Sequence, residues 1–102
     1  MTEVRAPIPW DEIDEGIRGP LRVLAEAGID TISSCQGGGY GRGHGYIRPT
    51  IIFNGEMDAP AIAEEALAKA GCVIFQFLRR YDPVGQWLYW QVEFVDGAAC
   101  GR

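Results

Sequence analysis

Two segments of this chain end in nearly the same five residues, and each is followed by residues typical of β-strands. The pattern is Leu-Ala-Glu-Ala-Gly at Leu24–Gly28 and Leu-Ala-Lys-Ala-Gly at Leu67–Gly71. An alanine-rich helix that ends at glycine is typical of a left-handed C-cap, after which the chain turns back on the helix. The repetition predicts two αββ units. We therefore expect an α+β fold of two layers, αββαββ, with a four-stranded, mainly antiparallel sheet and both helices on one face.

Strand-forming residues recur in four places after these helices. The predicted strands are Thr31–Cys35, Tyr46–Phe53, Cys72–Tyr81 and Trp87–Val95. Proline cannot donate a ladder hydrogen bond, so Pro49 predicts that the second strand lies at an edge or is bulged. The acidic residues from Asp11 to Glu15 indicate a helix start, and Gly19-Pro20 interrupts that helix so that a second segment begins there. Asp82–Gly85 predicts a tight turn between the last two strands.

Length and composition limit the class of protein. A chain of 102 residues predicts one domain, with an irregular lead-in at residues 1–9 and a loose tail at residues 97–102. The net charge of −5 argues against a general nucleic-acid binder. The sequence shows neither a signal peptide nor an apolar run long enough to cross a membrane. Three cysteines without metal or disulfide spacing predict thiols in a reducing compartment, and hence a cytoplasmic location.

The segment Ser33–Tyr46 is the strongest candidate for a functional site. It holds six of the chain's fourteen glycines, and residues 31–50 carry two arginines but no acidic residue. A hairpin needs only one or two glycines, whereas several allow backbone N–H groups to converge on an anion. We therefore expect a small anionic or nucleotide-like ligand. The candidate ligand-binding residues are Ser33, Ser34, Gln36, Gly37, Gly38, Gly39, Tyr40, Arg42, Tyr46 and Arg48.

The named phosphate-binding motifs do not fit this segment. Gly39-Tyr40-Gly41 begins a dinucleotide fingerprint, but His44 stands where its third glycine belongs. Gly38 and Gly43 have the spacing of a phosphate loop, but His44-Gly45 replaces its Lys-Ser/Thr pair. Both motifs also open a helix, whereas this segment is predicted to open a strand. No cofactor is identified from the sequence.

Two other functions remain open. Cys35 and His44 are a candidate catalytic pair, because a histidine can generate a reactive thiolate, although a cysteine at a strand end is also an ordinary buried residue. A metal site is not expected, since the segment offers only these two ligands. The alternation of the last strand places Trp87 and Tyr89 on the face opposite Trp90, where they either pack under another segment or form an exposed patch. Such a patch suits a protein partner or a homodimer.

Parts of the chain resemble a family of small uncharacterised proteins from bacteria and their phages. The resemblance is carried by Gly28–Thr31, Ser33–Gly38, Gly43–Tyr46 and Pro49–Phe53, which fit a G-I-x-T-x-x-S-C-x-G-G…G-H core, and it extends over about residues 11–95. It implies no assigned activity, and a phage origin would suggest a role in the interaction with a host. Ser33–Gly37 also resembles the Ser-Ser-Cys-x-Gly turn of the tRNA wybutosine-synthesising methyltransferase family. Gly38 departs from that family, which has an arginine there.

Overall fold

A four-stranded antiparallel sheet covered by two helices forms the protein. The computed structural model describes residues 8–38 and 46–95. The strands are β1 Asp30–Cys35, β2 Thr50–Asn54, β3 Ile74–Asp82 and β4 Trp87–Phe94, and the helices are α1 Arg18–Glu26 and α2 Ala59–Lys69. The strand order is β1-β2-β4-β3, and every neighbouring pair is antiparallel. The predicted α+β class and the αββαββ order are confirmed.

Both helices end in the same hydrogen-bonded cap, as the repeated pattern predicts. Gly28 and Gly71 have φ angles of 84° and 79°, in the left-handed region that glycine adopts without strain. The Ile29 N–H donates to the Leu24 carbonyl at 3.0 Å, and the next helix repeats this bond from the Cys72 N–H to the Leu67 carbonyl at 2.9 Å. These bonds satisfy carbonyl groups at the helix ends and direct each chain back toward the sheet.

The chain enters α1 through two short 3₁₀ turns, Trp10–Glu12 and Glu15–Ile17. The α-helix begins only at Arg18, so that Pro20 falls in its first turn, where a missing N–H costs no hydrogen bond. Asp11, Glu12 and Glu15 therefore belong to the 3₁₀ turns, and Asp14 lies between the two turns. Helical structure is interrupted as expected, although the break lies around Asp14 rather than at Gly19-Pro20.

One hydrophobic cluster joins the helices to one face of the sheet. Its fully buried residues include Leu24 of α1, Leu67 of α2 and Phe53 and Val92 of the sheet. The predicted alternation of β4 is confirmed, because Trp90, Val92 and Phe94 all lie in this cluster. Leu88 has the same orientation but is 51% exposed, since β2 pairs only with Trp90–Glu93 of β4 and the β3–β4 ribbon extends beyond it.

The prediction for the second strand is wrong in two respects. β2 begins at Thr50 rather than at Tyr46, and it lies inside the sheet rather than at an edge. Pro49 precedes the strand, and its carbonyl accepts a hydrogen bond from the Phe94 N–H at 2.9 Å. The proline therefore contributes its acceptor and needs no donor. The irregular registers occur instead at Thr31/Ser33 of β1 and Ile74/Gln76 of β3.

The cysteines do not share one chemical state. Cys35 is a thiol, whereas Cys72 is disulfide-bonded. The expectation that all three cysteines are thiols is therefore wrong for Cys72, and Cys100 lies outside the described residues. A disulfide is the more usual state of an oxidising compartment, so the cysteines no longer support a cytoplasmic location. Neither helix of the described ranges has the length and apolar character needed to cross a membrane.

Candidate functional site

Two hydrogen bonds attach the glycine-rich segment, where it follows β1, to the N-terminal turns. The Gln36 N–H donates to Asp14 Oδ2 at 3.2 Å, and the Gly16 N–H donates to Gln36 Oε1 at 3.0 Å. The backbone N–H and the side-chain oxygen of Gln36 thus attach the start of the segment to the second 3₁₀ turn and the residue before it. Gln36, a candidate ligand-binding residue, has a structural role at this position.

Gly37 is required by its surroundings. Its φ is 86°, and a Cβ atom there would lie 2.7 Å from the Arg48 carbonyl carbon and 2.8 Å from the Ile47 carbonyl oxygen. Real Cβ atoms do not approach backbone atoms so closely, so any side chain at this position would push residue 37 away from residues 47–49. This glycine allows residue 37 to pack directly against residues 47–49.

Three successive backbone N–H groups of the segment, those of residues 36 to 38, have hydrogen-bond partners inside the chain. The Gly37 N–H donates to Cys35 Sγ at 3.4 Å, and the Gly38 N–H donates to the Ile47 carbonyl at 2.9 Å. Together with the Gln36 bond, these contacts use three successive donors. A ligand at this end of the sheet would therefore depend on side chains or on backbone groups beyond Gly38.

Arg48 places a cation at this end of the sheet. Its guanidinium carbon lies 3.9 Å from the centroid of the Phe75 ring, which is 48% exposed. The two residues meet because β2 and β3 start at the same end of the sheet, and the Arg48 side chain spans β4 between them. The Thr50 hydroxyl donates to the Arg48 carbonyl at 2.9 Å and fixes the backbone there. Within residues 8–38 and 46–95 the guanidinium has no acidic partner.

Polar side chains continue from Arg48 along the sheet face that the helices leave open. Glu93, opposite Thr50, accepts hydrogen bonds from Gln76 Nε2 at 3.1 Å and from Gln91 Nε2 at 2.8 Å. The two amides stabilise the carboxylate by charge-assisted hydrogen bonds, although its negative charge remains. Phase and spacing along the chain do not identify Phe75 as a neighbour of Arg48, because the contact depends on the strand order.

The remaining candidate residues divide into two groups. Among the described ones, Ser33 is exposed, whereas the Ser34 hydroxyl is enclosed and has no hydrogen-bond partner. Cys35 is only 9% exposed, so its thiol is poorly accessible to a substrate. Tyr46 is half-buried. The other candidates lie outside the described residues: Gly39, Tyr40, Arg42 and His44. The pairing of Cys35 with His44 therefore stays a prediction.

A cleft lies at the opposite end of the sheet, between the β2–α2 connection and β3. It has a volume of about 530 Å³, and its wall carries the carboxylates of Asp30, Glu56 and Asp58. Arg79 also lines it, but this arginine donates to the Gly55 carbonyl at 3.2 Å and lies 4.4 Å from the Trp90 ring. Arg79 is thus bound to its own chain, far from the glycine-rich segment.

The aromatic residues of β4 are separated by the two faces of the sheet. Trp90 is buried, and its Nε1–H donates to the Gly55 and Glu56 carbonyls at 3.1 and 3.2 Å. Trp87 and Tyr89 lie on the open face with their ring centroids 5.1 Å apart, both half-buried. The Trp87 indole donates to Asp82 Oδ2 at 3.3 Å. Trp87 and Tyr89 therefore make these contacts with each other and with Asp82, within the β3–β4 hairpin.

The chain matches no protein-family model, no curated protein and no solved structure. The resemblances seen in the sequence therefore stay predictions. Among the residues that the structure describes, no group of three or more His, Cys, Asp or Glu side chains is placed to hold a metal ion.

Proposed function

We propose that the end of the sheet marked by Gly37, Arg48 and Phe75 binds a small anionic or nucleotide-like ligand. The observation that carries the proposal is the Arg48–Phe75 pair. A guanidinium that has no acidic partner among the described residues and is stacked on a half-exposed ring offers hydrogen-bond donors to phosphate or carboxylate oxygens and keeps a fixed orientation.

The charge distribution supports an anionic ligand at this end. Residues 31–50 contain Arg42 and Arg48 and no acidic residue, in a chain with a net charge of −5. Two described carboxylates near this end have hydrogen-bond donors of the chain: Glu93 is bonded to two amides, and Asp14 accepts from the Gln36 N–H. An anion is therefore attracted to this end of the sheet and repelled from the opposite cleft, where three carboxylates line the wall.

The main chain at this end of the sheet is held by hydrogen bonds within the chain when no ligand is bound. Gln36 is held by Asp14 and Gly16, Gly38 by Ile47, and the Arg48 carbonyl by Thr50. A site whose framework is already ordered loses less conformational entropy on binding. Catalysis by Cys35 and His44 is the alternative at the same place, and the low exposure of the Cys35 thiol favours binding over it.

The proposal is tested by thermal shift and calorimetric titration of the purified chain with ATP, ADP, pyrophosphate and orthophosphate. We expect at least one of them to raise the melting temperature, because a ligand that binds only the folded chain stabilises it. Arg48→Ala should weaken the affinity about tenfold or more, which corresponds to about 1.4 kcal/mol.

Arg22→Ala is the matched control. Arg22 also stacks on an aromatic ring, with its guanidinium carbon 4.9 Å from the Trp10 centroid, and its loss changes the net charge equally. It should leave the affinity unchanged. Equal losses in both variants, or no stabilisation by any of the four compounds, would contradict the proposal.

A further inference from the structure

The outer edge of β3 presents unpaired main-chain groups in a regular row. In β4 the Phe94 N–H points toward β2 and the Val95 N–H points toward the β3 side, where it donates to the Val73 carbonyl. Because orientation alternates along an antiparallel strand, the β3 residues opposite odd-numbered β4 residues face β4. Phe77, Arg79 and Tyr81 therefore turn their N–H and C=O groups outward, and these make no hydrogen bond to any other described residue.

The other edge of the sheet is poorly suited to pairing. β1 has six residues, and its register shifts between Thr31 and Ser33, so that a bulge interrupts its outer row. Ile8 and Pro9 of the entering chain line a cavity of about 240 Å³ together with residues of β1. Bulges and covering segments are the devices by which proteins prevent pairing at an edge strand. β3 has nine residues and is regular from Gln76 to Asp82.

The geometry points to a second copy of this chain as the partner of β3, paired antiparallel about Leu78. An interface that uses the same edge of both copies closes as a two-fold dimer, whereas pairing of β3 with β1 leaves one edge of each pair free and so does not close with two copies. Centring on Leu78 gives the longest overlap of the two strands. It places Phe77 opposite Arg79 and Gln76 opposite Arg80 of the second copy.

Charge and side-chain contacts favour this register. Pairing about Arg79 would set two like charges directly opposite each other, which is destabilising. Pairing about Leu78 avoids this, and it places the Leu78 side chains of the two copies opposite each other. The Arg79 guanidinium is drawn away from the edge by the Gly55 carbonyl and the Trp90 ring.

Sedimentation equilibrium of the wild-type chain gives the first test. We expect a concentration-dependent species of twice the 11.2 kDa of the single chain. Tyr81→Pro should shift it to monomer with an unchanged circular dichroism spectrum, because it removes an outward N–H and no bond to β4. Tyr81→Val keeps that N–H and should still dimerise.

A cysteine cross-link tests the register. Leu78→Cys places the new thiol opposite its own copy, within the reach of a disulfide, so mild oxidation should yield a covalent dimer on a non-reducing gel. Leu88→Cys on β4, where the native side chain is more exposed than that of Leu78, should not cross-link. A wild-type chain that is monomeric at all concentrations overturns the proposal and leaves this edge for a strand of another protein. A dimer that survives Tyr81→Pro, or a cross-link at position 88 but not 78, overturns it as well.

Discussion

The two ends of the sheet each carry an arginine stacked on an aromatic ring, yet the two arginines are in different environments. At one end Arg48 lies over Phe75, with no acidic partner among the described residues. At the other end Arg79 lies over Trp90, donates to the Gly55 carbonyl and lines a cleft with three carboxylates. The stacked Arg79 thus stabilises the fold, whereas the stacked Arg48 keeps its guanidinium available to a ligand. The pairing alone does not identify a binding residue; its surroundings do.

The two ends also differ in how they use glycine. Gly28, which lines the acidic cleft, and Gly37 have φ angles of 84° and 86°. Nothing lies within 4 Å of the Cβ position of Gly28, whereas that of Gly37 meets three backbone atoms at 2.7–2.8 Å. Gly28 is required only by its dihedral angle. Gly37 is required by both its angle and the close approach of the connection.

Gly37→Ala is expected to have the largest effect on stability. The backbone contact and the left-handed angle together should lower the free energy of unfolding by about 3 kcal/mol. Gly28→Ala, with the angle but not the contact, should lower it by about 1 kcal/mol. Urea unfolding of both variants measures the difference. Equal losses would show that the close approach at Gly37 contributes nothing.

A smaller difference is expected between the two arginines. Arg79→Ala removes a hydrogen bond and a stacking contact, and should lower the free energy of unfolding by about 1.5 kcal/mol. Arg48→Ala removes only a stacking contact within residues 8–38 and 46–95, so its loss should be about 0.5 kcal/mol. Urea unfolding in the absence of ligand provides the measurement. If Arg48→Ala proved the more destabilising, Arg48 would have to be regarded as structural.

Features set by neighbouring residues were predictable from the sequence. The helix caps at Gly28 and Gly71 follow from an alanine-rich helix that ends at glycine. The β3–β4 turn follows from Asp82, whose Oδ1 accepts the Val84 and Gly85 N–H groups at 2.9 and 3.3 Å. These interactions span only a few residues, so the local pattern contains their cause.

Features set by the order of the strands were not predictable in the same way. Pro49 indicated an edge strand, but the ladder begins one residue later, and β2 lies inside the sheet. The Arg48–Phe75 contact joins a residue just before β2 to a residue of β3, and β4 lies between these two strands. The bonds of Gln36 to Asp14 and Gly16 depend on how the N-terminal turns pack beside β1. No local pattern contains these distances.

The most direct test of the proposed site is an NMR titration of the ¹⁵N-labelled chain with the nucleotide or phosphate that stabilises it best. The amide shifts should change most at Gly37, Gly38, Arg48 and Phe75, and those at Asp30, Asn54, Gly55 and Arg79 should not change. Saturable shifts at the first group, absent in Arg48→Ala, are the predicted result. Shifts centred on the acidic cleft, or shifts at the first group that persist in Arg48→Ala, would contradict the account.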